Sequence, residues 1–184
     1  MAELSLNYPN IQDERGQLHS IADPTLYLTF GVWLYLVPQY KPKSVLMLGY
    51  GGGTAAKYIR MFYGDVPITA VDFSDVSEFL IEGVEWVNQN AEDYVKTAPK
   101  FDCVIVDLFD TDDMHPQAFV HTKEFADDLG KIANYIILHN VVGDDTSDYD
   151  QYYKVRALNL GRTDKYAPEV HYYMVNEIPS LPVR

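Results

Sequence analysis

Three carboxylates and one run of glycines hold the residues best placed to do chemistry in this chain. Asp72 closes the apolar run Pro67-Ile-Thr-Ala-Val, and Asp107 closes Phe101-Asp-Cys-Val-Ile-Val. Asp110 follows three residues later, in a loop that also carries Asp112, Asp113 and His115. An alkylamine has a pKa near ~10.4 and is mostly protonated at neutral pH, so a carboxylate in reach can take its proton as the nitrogen attacks. Asp107 suits that base role. Asp110 sits close enough to hold a cationic amine without competing for the same proton, and Asp112 and Asp113 add negative potential. Read as a metal loop, these acids and His115 match no cation-binding spacing. His19, His121 and His171 form no close pair, and His139 reads as a hydrogen-bonded core histidine.

The glycines sit in Ser44-Val-Leu-Met-Leu-Gly-Tyr-Gly-Gly-Gly-Thr-Ala-Ala56. Ser44 to Leu48 is an apolar run of buried-strand type, and Thr54 to Phe62 has helical spacing. A strand, a glycine turn and a helix form a nucleotide-binding unit, because glycine lets the backbone approach a ligand and the helix start offers free N–H groups. A dinucleotide site needs Gly-x-Gly-x-x-Gly, and its third position here is Thr54. The tighter Gly-x-Gly-x-Gly spacing is filled by Gly49, Gly51 and Gly53.

These residues need strands that end on a common edge, and the chain supplies them. Apolar runs at 44–49, 67–72, 84–87, 101–107 and 134–140 alternate with helical stretches at 54–62, 74–81, 90–96 and 122–132. That alternation predicts an α/β fold, a doubly wound and mostly parallel sheet with helices on both faces. Ligands of such sheets sit at the carboxyl ends of strands, where Gly49, Asp72 and Asp107 fall. Residues 1–23 read as polar and irregular, a short hairpin or arm, and Thr25 to Val37 as a buried aromatic helix with Asp23 as N-cap and Pro24 at the first helical position. Tyr149 to Leu158 reads as a helix, and Glu169 to Val175 as a last strand. The chain divides into an N-terminal arm and helix, 1–43, and one α/β domain, 44–184.

With these pieces in hand, residues 44 to 140 resemble the spermidine/spermine synthase family within the S-adenosylmethionine-dependent methyltransferase superfamily. Leu48-Gly-Tyr-Gly-Gly-Gly-Thr54 is similar to the nucleoside-binding turn, and Ala70-Val-Asp72 to the segment whose acid holds the ribose hydroxyls. Asn90-Ala91 stands where the family has an acid and a small residue beside the adenine. Phe101 to Asp110 is similar to the segment that holds the amine, its first acid the base and its second the amine ligand. The resemblance thus implies a nucleoside site at Gly49, Gly51, Gly53, Asp72, Asn90 and Ala91, and catalytic roles for Asp107 and Asp110. It implies S-adenosylmethionine or its decarboxylated form as co-substrate, a small cationic amine as acceptor, and no metal. Three positions depart from the family. Gly51 stands where aminopropyltransferases carry an aspartate, Asn90 replaces the adenine-side acid, and Thr111 replaces the usual proline. Methyl transfer to an amine, methyl transfer to another acceptor, and a non-catalytic nucleoside-binding remnant stay open beside aminopropyl transfer.

Composition narrows the partners. The chain has 184 residues and a formal net charge of -13, which disfavours nucleic acid and anionic membrane surfaces. Its single cysteine, Cys103, allows no internal disulfide and fits a reducing, cytoplasmic setting. Met1 to Arg15 lacks the apolar core of a signal peptide, and the run Leu26 to Val37 is too short to span a bilayer. A homodimer is compatible with these observations.

Overall fold

The structure is a computed structural model, which describes residues 4–7, 10–14, 16, 18–21, 32–110, 115–160 and 167–176. The N-terminal stretch, expected to be polar and irregular with a short hairpin or arm, forms a three-stranded antiparallel sheet, β1 (Leu4–Asn7), β2 (Asn10–Asp13) and β3 (Leu18–Ile21). Each strand has four residues, too few for an alternating pattern to stand out from a polar background. Most of the helix expected at 25–37 lies outside the described residues. Its end, Val32–Leu34, is one turn of 3-10 helix.

The remaining strands form one seven-stranded sheet. They are β4 (Val45–Leu48), β5 (Ile68–Val71), β6 (Val84–Val87), β7 (Phe101–Val106), β8 (Ala133–Val141), β9 (Tyr153–Asn159) and β10 (Pro168–Met174). Their order is β6-β5-β4-β7-β8-β10-β9. The five from β4 to β8 run parallel, and β10 enters antiparallel between β8 and β9. Successive strands step outward from β4 toward β6, then return to the other side of β4 as β7. The order therefore reverses between β4 and β7, and ligands of such sheets bind outside the carboxyl ends of the strands at that reversal.

Both sheet faces are covered. Val45, Met47, Cys103, Ile105 and Ile137 point to the side of helix α1 (Thr54–Tyr63), which buries Ala55, Ala56 and Ile59. Leu46, Leu48, Val104, Val106, Ile136 and Leu138 point to the side of α2 (Ala91–Tyr94) and α3 (Lys123–Ile132), which supply Ala91, Phe125, Leu129 and Ile132. A strand buried on both faces has apolar residues at every position, so β4 reads as an unbroken run and β7 as one from Cys103 onward. The helix expected at 74–81 contracts to a 3-10 turn at Ser77–Phe79.

The helix expected at 149–158 is a strand. A 3-10 turn at Ser147–Tyr149 leads into β9, which pairs with β10 from the sheet's edge. Tyr149 and Tyr152, at helical spacing in the sequence, pack onto the α3 face from the turn that precedes the strand. Two strands thus close the C-terminal side, where the sequence suggested one.

Candidate functional site

The glycine turn joins β4 to α1 at the reversal in strand order. Gly49 has φ 86° and Gly53 φ 75°, left-handed values that a side chain resists. Space reinforces the choice. A Cβ on Gly49 would overlap the backbone carbonyl of Asp107, and one on Gly53 would overlap the ring of Tyr50. Tyr50 is buried under the turn, where its hydroxyl donates to Phe79 O at 3.1 Å and accepts from Ile81 N at 3.2 Å. Gly53 caps α1 without a side-chain bond, and no acidic residue stands in the first helical turn. The positive end of that helix is therefore left to a ligand or solvent.

Asp72, one residue past β5, faces the turn. Its Oδ2 accepts from Tyr50 N at 2.8 Å and Gly51 N at 3.2 Å, and its Oδ1 from Ser74 N at 2.9 Å. The carboxylate thus holds the glycine turn in shape. A carboxylate has about four acceptor directions, so little capacity is left for ribose hydroxyls unless the turn shares its bonds.

Asn90 caps α2, its Oδ1 accepting from Glu92 N at 2.8 Å. The carbonyl oxygen that would meet an adenine amino group therefore already has a backbone partner. Ala91 is buried against the α3-side core.

Asp107 follows β7 directly, and its N–H donates to Leu48 O at 2.8 Å. This bond continues the β4–β7 ladder up to the glycine turn, so the backbones of Asp107 and Gly49 lie side by side at the carboxyl ends of the two strands. Its Oδ1 lies 2.6 Å from Nδ1 of His139, the penultimate but one residue of β8. Phe109 packs on that imidazole with ring centroids 4.6 Å apart. The chain then turns through a bridge between Phe109 and Pro116. Asp110 lies within that turn, exposed, with its N–H on His115 O at 3.0 Å. Asp112 and Asp113 lie outside the described residues. Asp144, after β8, stands 3.7 Å from His115 Nδ1 and 3.9 Å from His121 Nε2. Among the described residues no group of three or more His, Cys, Asp or Glu side chains is placed to hold a metal ion.

Sequence reasoning placed the glycines, Asp72 and Asp107 at carboxyl ends of strands, and the structure has them there. It missed the pairing of Asp107 with His139. A signal was present: Val-Ile-Val-Asp107 and Ile-Ile-Leu-His139 are apolar runs each ending on a first polar residue, and strands adjacent in a parallel sheet bring such ends together.

No family model matches the chain, and no curated protein matches it in sequence. Solved structures do match in fold. Spermidine synthase from Thermotoga maritima superposes with a TM-score of 0.61 at 14% identity, over 95% of this chain and 72% of that one. A putative S-adenosylmethionine-dependent methyltransferase from Listeria monocytogenes gives 0.59 at 12% identity, over 79% and 96%. Magnesium protoporphyrin IX methyltransferase from Synechocystis, with S-adenosylmethionine bound, gives 0.56 at 15%, over 82% and 78%. At such identities the likeness is one of fold. The chain has the Rossmann-like fold of S-adenosylmethionine-dependent methyltransferases.

Proposed function

We propose that the protein is a group transferase that takes a methyl or aminopropyl group from S-adenosylmethionine, or its decarboxylated form, and gives it to a small amine. The observation that carries this reading is Asp107, set at the strand-order reversal with its backbone against the glycine turn. The residues present suit the nucleoside. The turn at Gly49, Gly51 and Gly53 admits close backbone approach and the uncapped start of α1 offers positive potential, while Asp72 and Asn90 meet a ligand by sharing oxygens that already hold backbone N–H groups.

A bound sulfonium donor supplies an electrophilic carbon and a neutral thioether leaving group. The chain's own work is to align the acceptor and free its lone pair. Asp107 takes the acceptor's proton as the C–N bond forms and the C–S bond breaks, with the bonding pair passing to sulfur. Asp110, exposed in the loop beside it, holds the cationic acceptor. No general acid is required.

Gly51 favours the methyl donor, because the side chain that would hold the amine of decarboxylated S-adenosylmethionine is absent there. Asp107 and Asp110 favour an amine acceptor under either donor. A protein that keeps the nucleoside site and has lost catalysis would bind donor and yield no product.

The test begins with calorimetric titration of S-adenosylmethionine, decarboxylated S-adenosylmethionine and methylthioadenosine. A screen of putrescine, spermidine and other small amines follows, reading S-adenosylhomocysteine or methylthioadenosine as product. Asp107→Asn keeps shape but cannot take a proton, so turnover should fall by roughly 10²–10⁴ while nucleoside binding persists. Intact turnover in that variant would reduce Asp107 to a structural strand end.

A further inference from the structure

His139 is a histidine at the candidate site to which the proposed reaction gives no role. Strand β8 pairs in parallel with β7, with Val106 opposite Leu138. The next residue of each, Asp107 and His139, falls on the face that looks toward α1. His139 is 9% exposed, and the side chain of Asp107 is 21% exposed. The imidazole is thus enclosed by the sheet and by the ring of Phe109, while the carboxylate keeps an open side. An ionised carboxylate only accepts hydrogen bonds. Across the 2.6 Å contact the imidazole Nδ1 is therefore the donor.

We propose that His139 is a positioning residue for Asp107. Its Nδ1–H ties down Oδ1, which leaves Oδ2 as the oxygen that receives the acceptor's proton. This rests on the reading of Asp107 as the base. The proton moves from the amine nitrogen to Asp107 Oδ2, and His139 keeps its own. The strand backbone fixes Cβ of Asp107, but rotation about the two side-chain bonds would swing the carboxylate. One charge-assisted hydrogen bond from a packed ring removes that freedom. A histidine that merely satisfied its own N–H in the core would have no bearing on rate, and here the two roles separate experimentally.

The experiment uses the full chain with the donor and amine found in the screen of S-adenosylmethionine or decarboxylated S-adenosylmethionine against putrescine and spermidine. Wild type, Asp107→Asn, His139→Leu and His139→Gln are compared for kcat and KM, with the folded fraction set by circular dichroism. His139→Leu removes the donor and should lower kcat by on the order of 10–10²-fold, as loss of an orienting partner does, with KM changed by less than about threefold. His139→Gln keeps an N–H donor and should recover much of that loss. Equal turnover per folded molecule in all His139 forms overturns the inference, as does a glutamine variant no better than leucine. If Asp107→Asn is inactive while His139→Leu is unimpaired, only the inference fails. If Asp107→Asn is active, or no pair of donor and amine turns over, the base reading fails and takes the inference with it. Nitrogen-15 NMR of the wild-type imidazole supplies an arm independent of activity and of folding in the variants. It should show Nδ1 protonated, and a ring with Nδ1 bare overturns the proposal.

Discussion

Gly49 has the least freedom of any residue at the site. Its φ of 86° and the Asp107 carbonyl beside its Cα exclude a side chain on two independent grounds. The carbonyl belongs to the backbone just past a central strand, so it cannot step aside as a flexible side chain would. Gly49→Ala should therefore cost on the order of 2–5 kcal/mol, combining left-handed strain with overpacking. Urea denaturation measures it, and a loss under about 1 kcal/mol would mean that the backbone there yields. Asp72 constrains the turn from its other side through two of its backbone N–H groups, those of Tyr50 and Gly51, while Ser74 N fixes the carboxylate's other oxygen. Asp72→Ala should weaken nucleoside binding by about 2 kcal/mol, since it loosens the turn that meets the ligand and removes the one acceptor direction that the backbone N–H groups leave open. Unchanged affinity by calorimetry would place the ribose elsewhere. The sequence showed Asp72 to be a strand-end acid, because apolar runs mark strand ends. It did not show that the acid holds the turn, because that bond depends on where the Tyr50 and Gly51 N–H groups point.

Elements were legible where their residues are buried on a known period, and illegible where neighbours impose the shape. Strands β4, β5 and β7 declare themselves as short apolar runs because both their faces are covered. Strand β9 does not, since it lies at the sheet's edge with Tyr153, Lys154, Val155 and Arg156 all exposed. Its extended form follows from pairing with β10, which local propensity does not encode. Helix α3 was legible from its own sequence, including its start. Thr122 Oγ1 accepts from Phe125 N at 3.3 Å and donates to Phe119 O at 2.8 Å. Thr122→Ala should then destabilise the fold by about 1 kcal/mol, the usual worth of such a cap. The effect should appear as a shift in the denaturation midpoint at constant slope. A change in slope, or none in midpoint, would show that α3 is held by its core contacts alone.

At the scale of the molecule, a fold with 15 tyrosines uses several of them as buried hydrogen-bond donors. Tyr172 OH donates to Tyr35 O at 2.5 Å, Tyr149 OH to Val120 O at 2.8 Å and Tyr152 OH to Ala126 O at 2.7 Å. Each donor ties a side chain to a carbonyl in another element, so losing the proton would set a phenolate against a carbonyl dipole in a poorly solvated place. Burial is the main cause of their altered titration. It pushes Tyr152, Tyr172 and Tyr173 up from the ordinary 10.0 to about 12, and Tyr149 higher still. These groups are acids whose folded pKa is raised, so the folded chain holds protons that the unfolded chain releases near pH 10. Their contribution is complete below pH 10 and is lost as pH rises through the folded values. Urea midpoints should therefore be insensitive to these groups below pH 10 and fall steeply between about pH 10 and 12. Tyrosinate absorbance and circular dichroism, followed together, should show the buried phenols ionising only as the sheet unfolds. Complete tyrosine titration near pH 10 with the dichroism unchanged would contradict the buried-donor account, and with it the packing of Tyr149, Tyr152 and Tyr173 onto the α3 face.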